Sequence, residues 1–129
     1  MAFNVDEKYI LAAEKEINTR FPESFRQKMM IENGGDVLAP YNPNQPEEKI
    51  VFFLHPFFDS SDKKRIKRTS HHLLYETKNC HSNYGLEENL IVIGDDQSEY
   101  WLVFQIKADG LLDNAVYIRP FGEEILYKV

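Results

Sequence analysis

The residues with the types and spacing to do chemistry fall into a few short groups. Asp95 and Asp96 are followed by Gln105-Ile106-Lys107. On neighbouring strands an Asp and a (Glu/Gln)-x-Lys can hold Mg²⁺ while the lysine stabilises charge on a phosphate. That alternative makes Asp95, Asp96 and Lys107 a metal-dependent nuclease. Gln105 is a poor second ligand, however, and an acidic chain repels such a substrate. His71, His72, Cys80 and His81 form the one cluster of soft ligands. Zinc prefers spacings such as Cys-x₂₋₄-Cys or His-x₃₋₅-His, which are absent here. Side chains of adjacent His71 and His72 diverge by about 100° around a helix. Cys80 beside His81 has no activating base or oxyanion site implied by sequence. No G-x-S-x-G, Gly-rich phosphate loop or H-E-x-x-H occurs. The chain is thus expected to be no enzyme, with no catalytic residue, no cofactor and no metal site.

Charge narrows the partners. The formal net charge is -6, with 21 acidic and 15 basic residues among 129. Lys63, Lys64, Arg65, Lys67 and Arg68 sit in one short run, so the rest of the chain is more acidic still. An acidic body disfavours nucleic acid, whose phosphates demand clustered Lys and Arg over a whole face. It favours a basic protein partner, whose approach it steers. The basic run falls in the first turns of an expected helix, where cations oppose the helix dipole. It reads as a solvated face, or else as a contact for a phosphate or an acidic partner.

Length and hydropathy bound the fold. The chain fits one domain over 1–129, and 43% apolar residues supply a core. Its longest apolar run, 50–54, is too short to span a bilayer. Residues 1–3 lead straight into charged positions, with no secretory h-region. The lone Cys80 fits a reducing compartment, so a cytoplasmic protein is expected, away from membranes, as a monomer or weak homodimer.

The elements that must position these residues follow from periodicity. Asn4 with Glu7 predicts a capping box and a helix over 5–19; Pro22 begins a second over 22–32. Three prolines make 40–48 a loop, and 49–54 is a strand. Ser60 or Ser61 starts a third helix running to 78, followed by a loop over 79–88. Strands at 90–93, 100–106, 115–119 and 124–128 complete a meander. In 100–106 the even positions Tyr100, Leu102, Phe104 and Ile106 form an apolar face that should meet helices. Trp101 faces the other way, either buried under the C-terminal segment or serving as the hydrophobic anchor of a binding surface. The fold class is α+β: an N-terminal helix pair and a further helix packed on one face of a mainly antiparallel sheet of about five strands.

The stretch EKEINTRFPESFRQKMMIENGG, 14–35, resembles the amino-terminal signature of the SUKH superfamily. That Smi/Knr-like superfamily includes fungal cell-wall-synthesis regulators and bacterial immunity proteins. The matching residues are Glu14, Phe21-Pro22, Phe25 and Asn33-Gly34-Gly35, followed later by Ile91-Val92-Ile93-Gly94-Asp95-Asp96 ahead of an aromatic strand. The family's late turn glycine is replaced by Ser98-Glu99, and its closing Ser-Phe helix has no counterpart. The resemblance implies a structural motif and a protein-binding role. An immunity protein that neutralises a toxin domain, often a nuclease, is the leading reading; a regulatory adaptor is the alternative. Phe25 is expected to be buried. Asp95, Asp96, Glu99, Glu87 and Glu88 are expected to form an acidic rim around Trp101, suited to a basic toxin domain.

Overall fold

The computed structural model describes residues 2–129. Helix α1 (Glu7–Ile17) is capped by Asp6, whose carboxylate accepts the Lys8 N–H at 2.9 Å. Asn4, the expected cap, instead accepts a hydrogen bond from Arg65 Nη2 at 3.2 Å. Asn18 ends α1 in the left-handed conformation, and Pro22 introduces α2 (Glu23–Ile31). Ile10, Ala13, Phe21 and Met29 carry the helix pair into the core. Phe25 is half-buried rather than buried, yet its ring meets Phe21, Phe57 and Phe104 with centroids 5.2 to 6.0 Å apart.

The expected Glu14 to Gly35 motif is a joint. The Glu14 carboxylate is buried where the chain breaks between helices. Its Oε2 accepts the Phe21 N–H at 2.8 Å and Arg26 Nε at 3.0 Å. Arg26 is 0% exposed, and its Nη1 also lies 2.9 Å from Glu7. After α2, the Asn33 side-chain amide pairs with the Phe57 backbone in both directions, accepting its N–H at 2.8 Å and donating to its carbonyl at 2.9 Å. Gly34 then turns the chain at φ 110, a conformation costly for any residue with a Cβ.

That turn feeds a strand the sequence did not suggest. Strand β1 (Gly35–Pro40) pairs with β2 (Lys49–Leu54), and the sheet continues through β3 (Leu90–Asp95), β4 (Tyr100–Gln105), β5 (Tyr117–Pro120) and β6 (Tyr127–Lys128). All neighbours are antiparallel, so the sheet is a six-stranded meander. β1 was hidden by its position directly behind a glycine helix stop and by Pro40, which a sheet tolerates at an edge. Phe52, Leu54, Ile91, Ile93, Leu102, Phe104 and Ile118 face α1 and α2.

The third helix divides. Helix α3 (Lys63–Arg68) is capped by Asp62, and α4 (Leu73–Tyr84) by His72, whose Nδ1 accepts the Tyr75 N–H at 3.2 Å. Between them Thr69 Oγ1 accepts the Asp59 N–H at 2.9 Å and donates to the Arg65 carbonyl at 2.8 Å. Leu73 N–H bonds to the Pro56 carbonyl, so the backbone leaves one axis for another. Residues 79–84, expected as loop, are the last turns of α4.

Helix α4 solves an edge problem. Strands β2 and β3 pair at Phe53↔Asp95 and Leu54↔Gly94, with one further bond from the His55 N–H to the Ile93 carbonyl at 2.8 Å, and β3 from Val92 back lies open on that side. Buried backbone polar groups need partners. Thr77 Oγ1 accepts the Val92 N–H at 2.9 Å and donates to its carbonyl at 3.3 Å, while His81 Nε2 meets the Leu90 carbonyl at 2.9 Å. Leu73 and Leu74 join the core under α1 and α2. Cys80 and Leu86 reach the opposite sheet face and close a second cluster with Leu90, Val92, Trp101 and Val103.

Removing Glu14 leaves a buried guanidinium and a buried N–H short of an acceptor. Glu14→Ala is expected to cost about 3–5 kcal/mol in urea unfolding. Glu14→Leu with Arg26→Met should recover the guanidinium's share of that loss and not the share due to the Phe21 N–H, because the charge no longer needs a partner while the N–H still does. His72 gives a pH test. Burial, with Lys78 adding to it and Glu16 and Glu76 opposing, lowers its pKa from the ordinary 6.5. The folded state then prefers the neutral ring that caps α4. Its stabilisation is complete above pH 6.5 and lost as pH falls toward the folded pKa. His72→Asn, which retains a capping acceptor, should lose less stability than wild type between pH 7.5 and about pH 5.5.

Candidate functional site

Asp95 owes its direction to a bulge. From Ile91 inward and Val92 outward, strict alternation would point residue 95 into the helix-facing core. The register instead shifts between Val92 and Gly94, with Val92 opposite Val103 and Gly94 opposite Leu102. One extra residue reverses the side chains that follow it. Asp95 therefore lies outward beside Trp101, in a cross-strand row that runs Asp36, Phe53, Asp95, Trp101, Arg119. Gly94 makes the row possible, since a Cβ there would stand 2.7 Å from the Phe53 carbonyl oxygen.

This outer face holds a cleft of about 680 Å³. Phe53, Trp101, Tyr84 and Phe121 supply aromatic walls, α4 contributes Glu76, Asn79 and Cys80, and His71 joins them from the segment before its cap. His55, Asp95 and Gln97 complete the rim beside β2 and β3. No Lys or Arg is among its lining residues. Beyond Phe53 the apolar surface continues onto Leu38 and Val51, which are 65% and 42% exposed and paired with each other.

The electrostatics converge on this cleft. Cys80 is pushed up to about 11 by burial first, and then by the negative charges of Glu76 and Asp95. Asp95 Oδ1 accepts the Gln97 N–H at 3.0 Å. Its Oδ2 lies 3.4 Å from His55 Nε2, which is buried and makes no hydrogen bond. Burial and negative neighbours both keep the proton on the Cys80 thiol.

The predicted rim does not assemble as one surface. Trp101 is 6% exposed; it forms the cleft floor, with Phe121 at 4.3 Å between centroids, and is not a projecting anchor. Glu87 folds back to grip Arg119 in a bidentate pair at 2.9 and 2.6 Å, and that guanidinium sits 5.7 Å over the Trp101 ring. Those bonds hold the Glu87 carboxyl below its usual range. Glu88 lies elsewhere, beside Glu16, Lys78 and His81. Glu99 is exposed in the β3–β4 turn but does not line the cleft. Asp96 is the keystone of that turn. Burial raises its carboxyl pKa, but N–H groups of Glu99, Tyr100 and Ser98 outweigh this and hold it low. Of the expected rim, Asp95 and Trp101 meet in the cleft.

The other chemical readings come apart in the same way. Lys107 follows the far end of β4 from the Asp95-Asp96 turn, roughly 20 Å along an extended chain, and it pairs with Asp109. The proposed nuclease triad is not brought together. His72 caps α4 and His81 holds β3, so neither joins Cys80 in a ligand set. No group of three or more His, Cys, Asp or Glu among the described residues is placed to hold a metal ion. The basic run is also accounted for in part: Arg65 pairs with Asp59 and Asp62, and Lys64, Arg65 and Arg68 lie over the Phe3 ring. Phe53, Glu76, Tyr84 and Phe121 were missed. They come from β2, from α4 and from the segment after β5, and only the Phe52-Phe53 pair, with one ring free to face outward, carried a signal.

A helix pair joined at a buried Glu–Arg contact, packed on an antiparallel meander, defines a SUKH-type module. The chain belongs to the SMI1 / KNR4 family (SUKH-1), whose family model matches residues 4–128. No curated protein and no solved structure matches it. Among the described residues no helix is long and apolar enough to cross a membrane.

Because the Gly94 contact is with backbone, it cannot be relieved by a rotamer change. Gly94→Ala is expected to cost about 1–3 kcal/mol. Amide exchange should quicken at the β2–β3 pairing and leave α1 and α2 protected.

Proposed function

We propose that this chain is a non-enzymatic protein-binding module, an immunity protein that neutralises a toxin domain by covering its working surface. The outer-face cleft carries this reading. It joins aromatic walls, an adjoining apolar strip and two carboxylates, without a lining cation. Exposed apolar area of this kind marks interaction sites. The chain's negative charge would steer a basic domain toward it, and aromatic contacts would slow its release. A nuclease toxin, basic because it must hold phosphates, fits that surface, and the encounter would take place in the cytoplasm.

The test is growth rescue. A toxin domain encoded beside this chain's gene is induced with and without the chain, and complex formation is followed by surface plasmon resonance. Wild type should restore growth. Glu76→Lys with Asp95→Lys should abolish rescue and lower the association rate about tenfold or more at low salt, with the difference shrinking as salt rises. Circular dichroism should show the fold retained. A wild-type chain that neither binds nor rescues overturns the proposal.

A further inference from the structure

The cleft holds an unusual carboxylate. Asp95 Oδ2 has no aligned hydrogen-bond donor among the described residues, although its side chain is only 21% exposed. The buried His55 Nε2 beside it makes no hydrogen bond either. Glu76 lines the same cleft without an ion pair among the described residues. The buried His55 Nε2 carries the cost of an unmatched polar atom, and the two partly exposed carboxylates favour a charged donor placed in the space between them.

The fold's own cation is kept out. Arg119 belongs to the same cross-strand row and lies over Trp101, but Glu87 takes its Nε and Nη2 and Pro120's carbonyl accepts from its Nη1. The remaining opening is bounded by Tyr84, 66% exposed, and by Phe53 and Phe121, each 37% exposed. Aromatic walls with two carboxylates in the same lining suit a flat, delocalised cation better than a compact ammonium. A guanidinium stacks on aromatic faces and presents forked donors to a carboxylate.

We infer that the outer-face cleft is a receptor for a single arginine side chain presented by the protein partner, with its guanidinium on Asp95 and Glu76 and its stem along Phe53, Tyr84 and Phe121. This rests on the protein-binding reading above and adds the chemistry of the contact. The guanidinium gives Asp95 Oδ2 the donor it lacks. The strip of Leu38 and Val51 next to the cleft seats apolar side chains flanking that arginine. Occupancy is selective for charge and shape together, since an aliphatic side chain would leave both carboxylates unpaired.

The experiment uses the intact chain and small probes. N-acetyl-arginine amide, N-acetyl-lysine amide and N-acetyl-norleucine amide are titrated separately into ¹⁵N-labelled protein. Arginine amide should shift the Trp101 indole N–H and the amides of Asp95, Gln97 and Tyr84, and saturate in the millimolar range. Asp95→Asn with Glu76→Gln keeps the Oδ1 acceptor for Gln97 and should weaken that binding about tenfold. Equal binding of the lysine or norleucine amide, shifts centred elsewhere, or no effect of the double change would each overturn the inference. Growth rescue that survives the double change in a chain that does not bind arginine amide overturns the arginine site and leaves the immunity reading intact. Selective arginine binding by a wild-type chain that rescues no growth does the reverse.

Discussion

The contact of Glu14 with Arg26 and the Phe21 N–H fixes how the first two helices meet, and the rest of the fold is built against that pair. A carboxylate and a guanidinium are both taken out of water here. Desolvating two charges is expensive, and their attraction offsets it only with good geometry and further hydrogen bonds. Glu14 meets that requirement by accepting both Arg26 Nε and the Phe21 backbone N–H at the Phe-Pro break. Phe21 is thereby held where its ring meets Phe25, Phe57 and Phe104. Asn33 repeats the device at the other end of α2, tying the helix stop to Phe57 through two hydrogen bonds. Both polar joints surround the same aromatic cluster, so helices and sheet share one registration.

On the opposite side of the sheet, order is imposed by an incomplete edge. Strands β2 and β3 separate after two paired residues, and Thr77 and His81 of α4 satisfy the open backbone of β3. A helix in that position cannot lie wholly on one face. It leans across the gap, with Leu73 and Leu74 in one cluster and Cys80 in the other, and so becomes a wall of the outer cleft. Gly94 and the bulge before it complete the arrangement by letting β2 close on β3 and turning Asp95 outward. The cleft is a consequence of how the sheet is interrupted.

Its chemistry follows from what is already satisfied nearby. Asp96 spends its oxygens on the turn, and Glu87 spends its carboxylate on Arg119. Both are acidic residues in sequence whose charge is committed inside the fold. Asp95 and Glu76 retain capacity toward the cleft, and their charges add to the burial that raises the Cys80 pKa.

The sequence by itself determined the α+β class, the helix pair with its Phe-Pro break, the helix stop at Asn33-Gly34-Gly35, the meander and the inward face of Tyr100, Leu102 and Phe104. These depend on local backbone chemistry and short periods, which residues carry with them. It also carried the motif that placed the chain in its family. The division of the third helix was decided by Thr69 and Pro56 meeting neighbours far along the chain, and β1 was revealed only by its partner β2. The acidic rim failed for a similar reason. Adjacent carboxylates in sequence have separate fates once Arg119, a turn backbone and a bulge compete for them. The cleft gathers Phe53, Glu76, Tyr84, Asp95, Trp101 and Phe121 from different elements. Their meeting is set by strand register and the bulge, long-range features that no local spacing encodes.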